Sequence, residues 1–132
     1  MIYLLDTNMC IYIIKQKPVG VINRFASLNP NAVSISSITV AELQYGVAKS
    51  AHKTKNSYAL QEFLSPLNIE SFDDSSAQIY GELRTKLEKS GKSIGSMDTL
   101  IAAHALSIGA TLVSNNINEF KRVKGLKLDN WV

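Results

Sequence analysis

The sequence predicts an α/β fold around a central parallel sheet. Three observations lead there. Short apolar runs recur along the chain without polar alternation, as strands covered on both faces require. Segments with helical apolar spacing separate those runs, and strands that alternate with helices argue for parallel pairing. The chain has 132 residues, of which 45% are hydrophobic. That is enough for one core, and residues 1–132 are expected to form a single domain.

Residues 2–5 read as the first strand. Residues 10–14 stay apolar and begin a helix. A second helix over 19–28 has apolar spacing at Val19, Ile22, Phe25 and Ala26, with Pro18 placed for its first turn. Residues 32–35 form the second strand, 39–48 a helix, and 55–64 another helix that Pro66 stops. Residues 67–72 are the third strand. The helix over 74–89 carries a stripe of Ala77, Tyr80, Leu83 and Leu87 and ends at Gly91. An alanine- and leucine-rich helix follows at 96–108, and Gly109 terminates it. Residues 111–113 give the fourth strand, 118–122 a helical turn and 126–128 a last edge strand. No repeat or linker rich in Gly, Ser or Pro divides the chain.

Composition removes several classes of function. A single cysteine, Cys10, leaves no disulfide framework and no cysteine-rich zinc site. His52 and His104 lack metal-ligand spacing. No basic segment precedes the apolar start, and Asp6 interrupts it, so no secretory signal is read. The uncharged stretch 99–118 contains His104, Gly109 and two asparagines and does not read as a membrane span. The cytoplasm is the expected location. A net charge of +3 permits nucleic-acid binding without requiring it.

In parallel α/β sheets chemistry collects beyond the carboxyl ends of the strands. The first strand runs into Asp6, Thr7 and Asn8. The second runs through Ser36 and Ser37 to Thr39 and Glu42. The fourth runs into Ser114, Asn115 and Asn116, with Glu119 beyond, and Asp98 opens the helix before it. Each has a second, purely structural reading. Asp6 can cap a helix, Thr39 and Glu42 fit a capping box, Asn116 and Glu119 have a related pattern, and Asp98 suits a helix N-terminus. The joint reading is sharper. Three ionised acids within about 5 Å would repel pairwise by about 3 kcal/mol at an effective dielectric near 20. A fold tolerates that with a cation or with raised pKa values. Carboxylates without His or Cys favour a hard ion, Mg²⁺ or alternatively Mn²⁺.

At these residues the sequence resembles the PIN-domain ribonucleases and, within them, the VapC toxins of bacterial type II toxin–antitoxin systems. The resemblance lies in Tyr3-Leu4-Leu5-Asp6-Thr7-Asn8, in residues 36–43 with Tyr45 and Gly46, in residues 94–105 around Asp98, and in residues 111–120. Four segments in the family's order span the whole chain. The resemblance implies an α/β/α sandwich, Mg²⁺-dependent endoribonuclease activity and a homodimer. It also implies a VapB-type antitoxin whose carboxyl segment blocks the active site, with operator DNA reached only through that antitoxin. The family's metal-binding acids carry over onto Asp6, Glu42 and Asp98. Many PIN domains have an aspartate where this chain has Asn116, which puts a second metal in doubt and leaves Glu119 to compensate. Thr7, Asn8, Ser114 and Asn116 resemble groups that orient carboxylates or water, and turn formation is their other reading.

The function expected is that of a toxin endoribonuclease that inhibits translation. By the resemblance its substrate is a structured RNA, most of all tRNA, with the initiator tRNA anticodon stem-loop as the expected target. Lys15, Lys17, Lys49, Lys53 and Lys55 can line an RNA path or form a solvated surface. Tyr45 and Tyr58 can stack bases or bury against a partner. Ile13, Tyr45 and Leu64 are expected to stay exposed on a lone domain, and His104 is read as a packing residue. Two alternatives stand beside this: a catalytically weak or inactive PIN-like protein acting through a partner, and a Rossmann-like phosphatase. The phosphatase needs a second aspartate where this chain has Asn8.

Overall fold

Five strands form one parallel sheet in the order β3-β2-β1-β4-β5 in a computed structural model that describes residues 1–132. The strands are β1 (Tyr3–Leu5), β2 (Val33–Ser36), β3 (Asn68–Glu70), β4 (Thr111–Val113) and β5 (Lys127–Asp129). The helices are α1 (Thr7–Lys15), α2 (Val19–Ala26), α3 (Ser37–Ala48), α4 (Lys53–Leu64), α5 (Asp74–Lys89), α6 (Ser96–Ile108) and α7 (Ile117–Phe120), with a 3₁₀ turn at Pro30–Ala32.

Side chains alternate across each strand and divide the interior in two. Leu5 and Val113 join Met9, Cys10 and Ile13 of α1, Val21 of α2, Leu43 of α3 and Leu60 of α4 on one face. Leu4 and Leu112 join Leu83 and Leu87 of α5, Ile101 of α6 and Phe120 of α7 on the other. The result is the expected α/β/α sandwich. Right-handed crossovers explain the split. The chain moves one way from β1 to β3 and lays α1–α4 on one face, then turns back to β4 and lays α5 and α6 on the other. The sheet order reverses between β1 and β4, so a crevice opens at their carboxyl ends.

The elements fall close to their expected places, and α5, α6 and β4 match in both bounds. Gly109, at φ 64°, closes α6 in the left-handed conformation that a residue with a Cβ resists. Some expectations need correction. Pro18 caps α2 from outside its first turn, and Val21 is buried there while Val19 is 71% exposed. On α5, Leu83 and Leu87 are buried as expected, but the first buried position is Ser76, whose hydroxyl lies 2.7 Å from that of Ser107, and Ala77 is exposed. Ile13 is buried in the first core and Leu64 is partly buried, so of the three apolar side chains expected outside only Tyr45 is largely exposed. No helix is long and apolar enough to cross a membrane.

Candidate active site

Asp6 follows the last residue of β1 and caps α1, its Oδ1 accepting from the Met9 N–H at 2.9 Å. The capping reading therefore holds for this residue, and its place at the end of β1 is the one the site reading needs. It is only 7% exposed. Burial pushes its carboxyl up, the nearby Ser114 hydroxyl and the Met9 N–H pull it back, and the Glu42 charge raises it further. Cys10, one turn along α1, is fully buried, and its thiol is pushed well up by burial and by Asp6, so it serves as an inert packing group.

Glu42 does not belong to a capping box. α3 begins two residues earlier than expected because Ser36, at the end of β2, caps it by accepting from the Ile38 N–H at 3.1 Å. Glu42 thus sits in the second turn, where its Oε1 accepts from the Thr7 hydroxyl at 2.8 Å. That bond joins the start of α1 to α3 across 35 residues of sequence. Thr7 is a carboxylate-orienting group in geometry, not a turn former. The neighbouring Asn8 is exposed on the first turn of α1, and nothing ties it to the acids.

Asp98 lies in the first turn of α6. Its carboxyl is raised by burial first, then by the charges of Glu119, Asp6 and Glu42, while Asn116 pulls it down. The Asn116 amide donates to Asp98 Oδ2 at a long 3.4 Å. Asn116 is itself held by its N–H, which donates to the buried Ser114 hydroxyl at 2.9 Å. It precedes α7 without capping it through its side chain, and the charge of Glu119 in α7 is among those that raise Asp98. Four acids from separate elements therefore share one electrostatic field at the carboxyl ends of β1 and β4.

No cation of the chain neutralises that field. The two ion pairs of the molecule, Arg24 with Asp129 and Arg84 with Glu88, involve none of the four acids. The donor set is all oxygen, which suits a hard divalent ion. No three of the acids converge into a ready-made coordination sphere. An ion that keeps several waters and takes only one or two carboxylates, as Mg²⁺ does, fits such a set. His104 stays outside it. It is buried in α6, with Nδ1 2.7 Å from the Ser36 hydroxyl and its ring edge-on to Phe72 at 5.4 Å. Burial lowers its pKa against the pull of Glu70 and Asp73, and it acts as a packing strut under α3.

Sequence reasoning missed Tyr12, whose hydroxyl accepts from the Asn115 amide at 3.0 Å and links α1 to the loop after β4. A tyrosine inside an apolar helical run carries no signal of that contact. Tyr45 and Tyr58 are 66% and 65% exposed, and Lys49 Nζ lies 4.7 Å from the Tyr45 ring centre.

Comparison with known proteins bears on the chain as a whole. The chain matches the PIN domain family over residues 3–126. Ribonuclease VapC2 of Rickettsia felis is 52% identical over 132 residues, covering 99% of this chain and 98% of that protein. The tRNA(fMet)-specific endonuclease VapC of Shigella flexneri is 40% identical over 129 residues, covering 98% and 97%. The crystal structure of VapBC2 from Rickettsia felis, bound to a DNA fragment from its promoter, superimposes with a TM-score of 0.94 at 50% identity over the full length of both chains. The fold and a sequence match that covers the chain from β1 to β5 agree, and the chain belongs to the PIN-domain family, among its VapC ribonucleases.

Proposed function

We propose that this protein is the toxin of a type II toxin–antitoxin pair and cleaves a structured RNA, tRNA(fMet) foremost, with a divalent metal ion. The observation that carries the reading is the shared field of Asp6, Glu42, Asp98 and Glu119, unneutralised by any basic side chain. The substrate class comes from the Shigella flexneri relative, whose name specifies tRNA(fMet). The partner comes from the Rickettsia felis VapBC2 complex with promoter DNA, which supports a VapB-type antitoxin, and operator DNA is reached through that antitoxin in this reading. A homodimer working in the cytoplasm completes the reading.

Asp6 and Asp98 would hold the ion, with Glu42 direct or through water. Bound there, Mg²⁺ supplies positive charge at the scissile phosphate and polarises water for in-line attack. The chain's own residues arrange the rest. The Met9 N–H fixes Asp6, Thr7 aims Glu42, and Asn116 steadies Asp98. Asn116 brings no charge, so Glu119 is the fourth acid of the site. The test is cleavage of purified tRNA in Mg²⁺, in chelator, and by Asp98→Asn. The expected result is cleavage in the first condition alone. Equal rates in all three, with contaminating nuclease excluded, would overturn the metal mechanism.

A further inference from the structure

A cleft of about 340 Å³ lies on the α5 side of the molecule, away from α1–α4. Lys86, Lys92, Arg122 and Lys124 line it against one acid, Glu82, over apolar side chains that include Leu83 and Leu106. The cations come from three places: α5, the loop that leads into α6, and the segment after α7. That last segment, residues 121–127, holds four basic residues and no acid. All four lining cations are exposed, and neither ion pair of the molecule involves them. Arg122 Nη1 donates to the Ser93 carbonyl at 2.9 Å. A carbonyl carries no net charge, so this bond fixes the guanidinium against the loop before α6 without neutralising it.

Uncompensated cations around a concave surface repel one another and attract a polyanion. Two of the segments that line this cleft also carry acids of the site. Lys92 stands six residues before Asp98, and Arg122 three residues after Glu119. A phosphate chain approaching Asp98 meets a negative field, and a basic flank on the same two segments offsets that repulsion. We infer that this cleft grips the phosphodiester backbone of the folded RNA outside the stem-loop that is cut. The inference rests on the ribonuclease reading above.

The experiment compares the wild-type protein with the triple variant Lys86→Gln/Lys92→Gln/Lys124→Gln, leaving Arg122 to hold Ser93. KM and kcat are measured on folded tRNA and on a short stem-loop that spans only the cut site. Salt is raised from about 50 to about 200 mM. The triple variant is expected to show a raised KM for tRNA with kcat unchanged, and wild-type kinetics on the stem-loop. Three lost phosphate contacts take about 2 from the logarithmic salt slope, so the fourfold rise in salt weakens the wild type roughly 20-fold more than the variant. Glu82→Lys adds a cation and is expected to lower KM for tRNA and steepen the slope. Equal KM and equal slope in wild type and both variants would overturn the inference while tRNA cleavage stands. Loss of antitoxin binding with tRNA KM unchanged would also overturn it, by assigning the cleft to a protein partner. A wild type that cleaves neither RNA refutes the ribonuclease reading, and this inference with it.

Discussion

Asp6 and Asp73 do the same local work in two regions of the molecule. Each caps a helix by accepting a backbone N–H three residues on, from Met9 at 2.9 Å and from Ser76 at 3.0 Å. Their carboxyls nonetheless move in opposite directions. Asp73 lies on the surface before α5, where the Ser76 N–H and hydroxyl hold it below the usual aspartate range. At Asp6 the equivalent bond is outweighed by burial, with Glu42 adding to the rise. The cap satisfies the helix in both places. Of the two, only the carboxylate at the end of β1 is kept where ionisation is unfavourable, a cost that a bound cation would offset.

The largest expected difference between the two regions is in activity. Asp6→Asn and Asp98→Asn should each reduce tRNA cleavage by more than about a hundredfold, beyond the loss usual for groups that merely support a metal site. Asp73→Asn should leave the rate unchanged. Cleavage assays at saturating Mg²⁺ decide this, and a fully active Asp6→Asn would leave Asp6 as a cap alone, like Asp73.

A smaller effect is expected one contact further out. Thr7→Val removes the hydroxyl that donates to Glu42 and should cost about tenfold in kcat/KM. Thr7→Ser keeps the donor and should recover most of the activity. Equal loss in both variants would mean that the methyl group matters and the hydrogen bond does not.

The two regions should also differ in their response to pH. Asp6 and Asp98 have raised carboxyls. In metal-free protein the native state therefore keeps protons that the unfolded chain has already released, between the ordinary aspartate value and the raised ones. Their contribution to stability is present below that window and is lost as pH rises through it. Asp73 has the opposite sign, stabilising above the ordinary value and losing that contribution as pH falls through its lowered one. Denaturant melts of Asp98→Asn should show a weaker fall in stability with rising pH than the wild type, and divalent ion should reduce the fall in the wild type. An unchanged pH profile in Asp98→Asn would show that Asp98 ionises freely in the native protein.

The smallest effect is on melting temperature at neutral pH. Asparagine caps helices about as well as aspartate, and Asp6→Asn removes a buried charge, so it should melt at or above the wild type. Asp73→Ala loses a cap with no such relief and should melt lower. Calorimetry on the metal-free proteins compares the two, and a strongly destabilised Asp6→Asn would show that the charge at β1 serves folding.

Much of the fold was legible because its signals are local. The apolar runs 2–5 and 111–113 gave the strands on either side of the crevice, and Gly91 and Gly109 marked the ends of α5 and α6. The acids themselves were legible as residues that follow strands or open helices. The local contest at α3 was not. The sequence read Thr39 and Glu42 as a capping box, and the cap at Ser36 follows instead from its place at the end of β2, buried against His104. The stripe of α5 held at Leu83 and Leu87 and failed at its first position for a similar reason: Ser76 is buried in place of Ala77 because Ser107 of α6 offers it a partner.

Periodicity, turn residues and caps act within a few residues of one another, and for that reason the sequence by itself determined the alternation of strands and helices and the identity of the acids. Charges also act over only a few ångströms, yet Asp6, Glu42, Asp98 and Glu119 are spread across more than a hundred positions. Their meeting depends on the strand order β3-β2-β1-β4-β5, which sets β1 beside β4 and aligns their carboxyl ends. The tertiary structure alone decided which carboxylates feel one another, that Glu42 answers to Thr7 and not to a helix cap, and that Lys92 and Arg122 line one cleft, because each of these is a contact between segments that no local pattern connects.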